Sequence, residues 1–133
     1  MKLFISTKIQ ISDSPVHGLG VFATKNIANG ELIEECPFLV LPLAPFEVSS
    51  LMVDYRFNYP MGMLTDNSVQ VIALGAGSIY NHSNTNNAYW VTDTDRKTFK
   101  FYANTDIKAG EEIFTYYGGE EYWTDGRTRI EVK

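Results

Sequence analysis

The chain has 133 residues, of which 44% are hydrophobic, and it carries a formal net charge of −5. This length and composition predict one domain with a buried core. The acidic balance argues against direct binding of nucleic acid, which depends on clustered Lys and Arg, and it suits a cationic substrate or simply solubility. The single cysteine, Cys36, excludes an internal disulfide and a multi-cysteine zinc site, and its apolar neighbours predict a buried thiol.

The first third of the chain reads as strands and turns. Residues 2–11 alternate in the manner of a half-buried strand, which the polar stretch before Pro15 ends. Gly18-Leu-Gly20 then leads into a short strand, and its glycines permit positive φ and close approach of a backbone or a ligand, although a plain turn gives the same pattern. Residues 25–35 resemble a hairpin with its turn at Asn29-Gly30.

The same pattern, Ile-x-x-Gly-Glu-x-Ile, recurs at 27–33 and at 107–113. Two like hairpins near opposite ends of the chain indicate a pseudo-symmetric β architecture. Between them, residues 36–45 contain three prolines, which predicts an edge strand running into a loop. Residues 46–57 contain the one plausible helix. Further strands are predicted at 69–74, 78–80 and 112–117, with a hairpin formed by 88–91 and 98–103.

A polar stretch, Tyr80-Asn-His-Ser83, stands between an apolar strand-like run and an Asn-rich turn. Three hydrogen-bonding side chains in a row beside an aromatic need a structural or chemical reason. We expect this stretch to meet the pieces at 17–23 and 110–118 at one site. Two histidines and one cysteine are too few for a catalytic zinc site, and Ser83 adjoins His82 too closely to use it as an aligned base.

These three pieces carry a resemblance to a known family. Ser14-Pro-Val-His-Gly-Leu-Gly-Val-Phe-Ala23, Tyr80-Asn-His-Ser83 with Asn87, and Gly110-Glu-Glu-Ile-Phe-Thr-Tyr-Tyr-Gly118 occur in the order and rough separation of the SET-domain protein-lysine methyltransferases. The chain resembles the minimal members encoded by some large viruses, which lack the cysteine-rich pre-SET and post-SET regions.

The resemblance implies a single SET domain over residues 1–133, with a mostly β, β-clip-like fold of short sheets, one or two short helices and a carboxy-terminal pseudoknot. Such a crossing is unusual among protein folds. It accounts for the polar stretch, because crossing strands leave backbone groups that side chains must satisfy.

The resemblance also implies site residues. S-adenosyl-L-methionine is expected at Gly18, Leu19, Gly20, Tyr80, Asn81, His82, Tyr122 and Trp123. The implied catalytic residues are Tyr117 and Tyr55, the implied substrate-binding residues are Trp90 and Tyr116, and no metal is implied. Two positions depart from the family pattern, because Tyr116 replaces the usual Asp and Asn86 the usual Pro.

The implied function is transfer of a methyl group to a lysine side chain of a histone tail or another Lys-rich protein. Two alternatives stay open: a catalytically weak SET-like module that binds a cationic peptide, and a purely structural β-clip domain. The sequence shows no signal peptide and no apolar stretch of membrane-spanning length. We therefore expect a soluble intracellular protein, in the cytoplasm or a host nucleus, with no nucleic-acid or membrane partner; a homodimer stays open.

Overall fold

The computed structural model of the chain describes residues 2–41, 56–59 and 69–116, with the side chains of 2–40 and 71–116. These ranges form β-strands, turns and bends, and they contain no helix. The mostly β class predicted from the sequence is therefore confirmed. The strands are β1 (Ile9–Asp13), β2 (Leu19–Ala23), β3 (Leu32–Leu41), β4 (Arg56–Tyr59), β5 (Val69–Ala73), β6 (Asn81–His82), β7 (Ala88–Asp93), β8 (Thr98–Ala103) and β9 (Glu112–Thr115).

The strands form two sheets. One has four strands in the order β1-β2-β9-β6, and the other has five in the order β4-β5-β3-β8-β7. Strands β6 and β9 pair in parallel, whereas each of the other described pairs is antiparallel. Because β9 lies between β2 and β6, segments from the start, the middle and the later part of the chain become neighbours in one sheet.

Strand β3 occupies the centre of the five-stranded sheet. Its first half pairs with β8 and its second half with β5, so the predicted edge strand is wrong. Pro37 lies where the pairing with β8 ends and the pairing with β5 begins, and its carbonyl oxygen accepts a hydrogen bond from Leu74 N at 2.8 Å. A missing N–H does least harm at such a junction.

The two repeated motifs face each other instead of forming separate hairpins. Strand β2 pairs with β9 and strand β3 with β8, so each motif's flanking strands pair with those of the other motif. At the centre, Ile27 and Ile107 exchange two backbone hydrogen bonds, both of 2.8 Å. Gly30 and Gly110 adopt φ values of +86° and +91°, which glycine reaches without steric cost. The predicted repeat is confirmed, and the predicted self-paired hairpins are wrong.

Side chains complete both turns in the same way. Within the first turn Glu31 Oε1 accepts a hydrogen bond from Ala28 N at 3.2 Å, and within the second Glu111 Oε1 accepts one from Lys108 N at 2.7 Å. Between the turns, Asp106 Oδ1 accepts from the backbone of the first turn at 2.8 Å. Asn26 Oδ1 accepts from that of the second at 3.0 Å. The short polar side chains of each turn thus satisfy backbone donors that no strand can reach.

Some of the remaining strands and helices predicted from the sequence are confirmed, and others are wrong. The hairpin of β7 and β8 and the strand β5 are confirmed. The strand predicted at 78–80 is wrong, because residues 75–79 form turns. Strand β1 begins at Ile9, later than predicted. The predicted helix at 46–57 lies outside the described residues as far as 55, and its last two residues, Arg56 and Phe57, begin β4.

An ion pair between the half-buried Arg96 and the buried Glu35 joins the amino-terminal residues to the β7–β8 turn. The guanidinium of Arg96 donates to both oxygens of Glu35, at 2.7 Å and 2.9 Å, and to Lys2 O at 2.7 Å. Glu35 also accepts from Phe4 N at 3.1 Å and from Thr98 Oγ1 at 3.0 Å. The hydrogen bonds from Arg96 lower the pKa of Glu35 to about 2. The carboxylate therefore stays charged although it is buried.

The core lies between the two sheets and the paired turns. Its fully buried members include the following residues: Val21, Ile27, Ile33, Val71, Phe99, Phe101, Ile107 and Ile113. Cys36 is buried among them, as its neighbours in the sequence predicted, and burial raises the pKa of its thiol. No helix within the described part of the chain is long and apolar enough to cross a membrane.

Candidate active site

The three motifs singled out in the sequence are in contact. Asn81 and His82 of β6 pair in parallel with Phe114 and Thr115 of β9, and Ser83 N donates to Thr115 O at 3.0 Å. The turn before β2 contacts this junction from the other side, through the side chain of Asn81. We call this junction, with residues 14–20, 81–87 and 112–116, the motif junction.

Asn81 ties the turn at 17–19 to the motif junction. Its side-chain nitrogen, Nδ2, donates towards His17 O at 3.1 Å, Leu19 O at 3.2 Å and Glu112 Oε2 at 2.8 Å. The side chain is buried, so these acceptors replace water. Because an amide nitrogen carries only two hydrogens, this nitrogen is already shared among protein acceptors. Asn81 therefore acts on its surroundings by fixing the backbone of the turn.

Glu112 links the other side of the same turn. Its Oε1 accepts a hydrogen bond from Ser14 Oγ at 2.8 Å, while its Oε2 accepts from Asn81. A Cβ atom at Gly20 would lie 2.5 Å from Oε2, so only glycine allows the carboxylate to come this close. The sequence analysis did not select Glu112. A glutamate in a Gly-Glu-Glu turn looks like an exposed charge, and its partners lie far away in the sequence.

One face of the turn at 17–19 is open to solvent. Gly18 has a φ of +48°, and a Cβ atom there would meet no other atom within 4 Å. Leu19 is 50% exposed. On the side that faces the protein, Gly18 O accepts a hydrogen bond from Ser14 N at 2.8 Å and Leu19 O accepts one from Asn81 Nδ2. Hydrogen bonds from Ser14 and Asn81 therefore fix the backbone of the turn, while its other face stays accessible to a ligand.

His82 and Tyr116 form the neighbouring part of the motif junction. The His82 ring is buried, and its Nε2 lies 3.0 Å from Asn84 Oδ1. The Tyr116 ring packs against it with a centroid separation of 5.2 Å and an angle of 38°. Tyr116 remains 47% exposed. An aromatic surface is therefore held beside β6 at the position where the family pattern usually has Asp.

The side chain of Asn87 makes hydrogen bonds with the β9 backbone like those that a neighbouring strand would make. Its Oδ1 accepts from Phe114 N at 2.8 Å, and its Nδ2 donates to Glu112 O at 3.0 Å. One amide side chain thereby satisfies a donor and an acceptor of the β9 backbone. Side chains therefore complete the backbone hydrogen bonding beside β9, as expected near the polar stretch.

Tyr80 lies on the core side of β6. Its hydroxyl donates to Glu34 Oε1 at 2.8 Å, and its ring stacks on Phe101 with a centroid separation of 4.5 Å. Burial, together with the charge of Glu34, raises the pKa of this phenol. The side chain is thus committed to the core, and a contact of Tyr80 with a ligand is left to its backbone.

The remaining predicted residues lie apart from the described junction or outside the described residues. Trp90 is half-buried on β7, where it packs edge-on against Phe99 at 5.1 Å. Its assignment to the substrate channel stays a prediction. Four residues of the predicted site lie outside the described ranges: Tyr55, Tyr117, Tyr122 and Trp123.

Comparison with known proteins identifies the family. The model of the SET domain family matches residues 18–118. Over 124 residues, the chain is 29% identical to a Schizosaccharomyces pombe protein named histone-lysine N-methyltransferase, H3 lysine-37 specific; the match covers 91% of this chain and 80% of that protein.

Solved structures agree with the sequence match. A candidate histone methyltransferase of Plasmodium falciparum is 30% identical, with a TM-score of 0.68, and the match covers 91% of this chain and all of that one. A structure of ctPRC2 in complex with H3K27me3 and H3K27M shares the fold, with a TM-score of 0.66 and 22% identity over 86% of this chain and 15% of that chain. These relatives support a lysine methyltransferase activity, and the chain belongs to the SET-domain family.

Proposed function

We propose that this SET-domain protein transfers methyl groups from S-adenosyl-L-methionine to lysine side chains of a histone tail or another Lys-rich protein. The observation that carries the proposal is the motif junction, where Asn81 holds the open turn at 17–19 beside His82. The relatives named as histone methyltransferases support the same activity.

The residues of the motif junction fit S-adenosylmethionine. A flat nucleoside and an amino-acid head group need backbone hydrogen-bonding groups and apolar contact, and such sites are usually preformed. The turn offers open backbone at Gly18, while Gly20 is buried against Glu112 and shapes the turn from within. Leu19 and Tyr116 offer half-exposed apolar surface. When bound, the cofactor supplies a methyl group activated on a sulfonium.

Further residues complete the proposed cofactor site. Asn81 positions the turn, while the backbone of Tyr80 and His82 borders it. Tyr122 and Trp123 are proposed to cover the adenine.

The lysine amine presents the main chemical obstacle. Its unperturbed pKa of about 10.4 means that deprotonation at pH 7 costs about 4 to 5 kcal/mol. A narrow apolar channel reduces this cost, because removing water disfavours the ammonium more than the neutral amine. No strong protein base is required. The chain's task is to orient the amine, and orientation contributes at most about 7 to 11 kcal/mol.

Aromatic residues are proposed to build the lysine channel. Tyr117 aims the amine, since a phenol with a pKa of about 10 is a poor base at neutral pH. Tyr55 is proposed to act beside it, as the family tyrosine that it resembles does near the methyl-transfer pore. Trp90 limits the number of methyl groups that fit. Tyr116 replaces the usual acidic residue, and it contributes apolar surface at the entrance.

Methyl transfer from radiolabelled S-adenosylmethionine to histones and Lys-rich peptides tests the proposal. We expect transfer by the wild-type protein and a fall in kcat of about 100-fold in Tyr117→Phe, because a small misplacement of the amine costs this much. The matched control is Tyr102→Phe, a half-buried tyrosine on β8 that stacks on Tyr89. It should retain activity within about twofold.

Two outcomes would contradict the proposal. The first is absence of transfer to every substrate tried by a protein that S-adenosylhomocysteine stabilises against heat. The second is binding of a cationic peptide with the same affinity in the presence and absence of cofactor, together with no transfer. That result would support a binding module instead.

A further inference from the structure

We propose that Glu34 is a positioning residue for the cofactor site. It fixes the loop of residues 75–80, which leads directly into Asn81 and His82 of β6. This inference rests on the proposed function, because the site that Glu34 positions is the proposed site for S-adenosylmethionine. Glu34 itself lies in the core on β3 and is 8% exposed.

The carboxylate of Glu34 holds both ends of the 75–80 loop. Its Oε2 accepts a hydrogen bond from Ala76 N at 2.9 Å, at the start of the loop. Its Oε1 accepts from Tyr80 OH at 2.8 Å, at the end. A single side chain therefore sets the distance between the two ends. Ala76 and Tyr80 are both buried, so the carboxylate takes the place of water as their acceptor.

The loop is also pressed against β3. Gly75 has a φ of +70°, and a Cβ atom there would lie 2.6 Å from Glu34 Oε2. A Cβ atom at Gly77 would lie 2.7 Å from Ala73 Cβ and 3.0 Å from Cys36 Sγ. The loop backbone thus approaches the strand so closely that side chains are excluded at both positions.

Stability alone does not account for a carboxylate at this position. Burying a carboxylate carries a large desolvation cost, and an apolar side chain of similar size is often equally or more stable. Tyr80 shows what the carboxylate achieves, because its ring is held on Phe101 by stacking and its hydroxyl by Glu34. The next residue, Asn81, pairs with Phe114. A displacement of Tyr80 is therefore passed directly to β6.

The test compares Glu34→Ala, Glu34→Gln and the core control Val71→Ala. The glutamine keeps an oxygen for Ala76 N and an amide that can donate to the Tyr80 oxygen, whereas the alanine keeps neither. Val71 is fully buried on β5, and its truncation lowers stability without removing a partner of the loop.

In the methyl-transfer assay, at a temperature at which all variants are folded, we expect a split between KM and kcat. Glu34→Ala should raise the KM for S-adenosylmethionine by about tenfold with kcat at saturation within about threefold of wild type, equivalent to about 1.4 kcal/mol of cofactor binding. Glu34→Gln and Val71→Ala should leave this KM within about twofold. An equal rise in Val71→Ala would show a merely structural role and overturn the proposal.

Amide hydrogen exchange without any ligand separates this inference from the proposed function. Ser83 N donates to Thr115 O across the β6–β9 pair, so its exchange reports the placement of β6. We expect exchange at Ser83 to be about tenfold faster in Glu34→Ala than in Val71→Ala. Unchanged exchange in Glu34→Ala would refute the positioning role even if the protein methylates lysine. Faster exchange in a protein that transfers no methyl group would refute the proposed activity alone.

Discussion

Asn81 and Asn87 show why the motif junction needs amides at single positions. Each amide carries both a donor and an acceptor, and the backbone groups around β9 and the turn at 17–19 require both kinds of partner. One such bond contributes only about 1 kcal/mol net, but a buried group that loses its partner costs about 1 to 3 kcal/mol. A side chain of the same size with the wrong hydrogen-bonding groups should therefore lower the free energy of unfolding much more than the small change in shape would.

The substitution Asn81→Asp tests this at the scale of one residue. At pH 7 the new carboxylate would face Glu112 Oε2 and two carbonyl oxygens without a hydrogen to donate. We expect the free energy of unfolding to fall by about 3 kcal/mol, measured by urea denaturation. Two neighbouring carboxylates repel each other most when both are charged, so the loss should be smaller at pH 4.5 than at pH 7.5.

The matched control is Asn104→Asp, at an exposed position whose backbone nitrogen donates to Asn87 O. Its free energy of unfolding should stay within about 0.5 kcal/mol of wild type. A loss in Asn81→Asp that is the same at pH 4.5 and pH 7.5 would show that repulsion between the two carboxylates is not its cause.

The paired turns are the element that joins the two sheets. Because each turn is followed by a strand of one sheet and preceded by a strand of the other, separation of the turns would separate β2 from β9 and β3 from β8. Ile27 and Ile107 lie at their centre, each 1% exposed. Their side chains and backbones hold the turns together as one unit.

Truncation of these isoleucines should be non-additive. Ile27→Ala and Ile107→Ala should each lower the free energy of unfolding by about 2 to 5 kcal/mol in urea denaturation. The double variant should lose at least about 0.5 kcal/mol less than the sum, because the second truncation removes contacts that the first has already weakened. Combining Ile27→Ala with Leu39→Ala, at an exposed position of β3, should give additive losses. Additive losses in the Ile27 and Ile107 pair would show that the turns are energetically independent.

At the scale of the whole molecule, local sequence patterns predicted the elements whose structure is determined by residues close together in the sequence. An apolar run identified β5, two strand-like segments closed by a polar stretch identified the β7–β8 hairpin, and the recurring Ile and Gly positions identified the repeat. The exchange of strands between the repeats and the central place of β3 depend on partners far away in the sequence, which periodicity does not encode. The same limit hid Glu112 and Glu34. A carboxylate looks the same in a sequence whether it faces solvent or holds a buried network.

The Glu35–Arg96 pair makes the stability of the whole molecule depend on pH. Arg96→Ala should lower the free energy of unfolding at pH 7 by more than Lys8→Ala does, because it leaves a buried carboxylate without its partner. The folded-state pKa of Glu35 is lowered from 4.5 to about 2. The stabilisation is therefore complete above about pH 4.5 and is lost as the pH falls towards 2. The free energies of unfolding of the wild-type protein and of Arg96→Ala, measured between pH 4.5 and pH 2, should therefore converge as the pH falls.

The comparison variant is Lys8→Ala, which removes the partly exposed ion pair with Glu31. Exposed pairs contribute at most about 1 kcal/mol. A larger loss in Lys8→Ala than in Arg96→Ala at neutral pH would show that burial does not decide the strength of these pairs.

The place of β9 between β2 and β6 has a kinetic consequence. Ser14 and Glu112, which meet at the motif junction, are 98 positions apart in the sequence. Closing so long a stretch of chain costs entropy before any contact repays it, and proteins dominated by distant pairings fold slowly. The β7–β8 hairpin needs only a short closure. During refolding, the protein should therefore form its hairpin early and gain the ability to bind a ligand only in the last step.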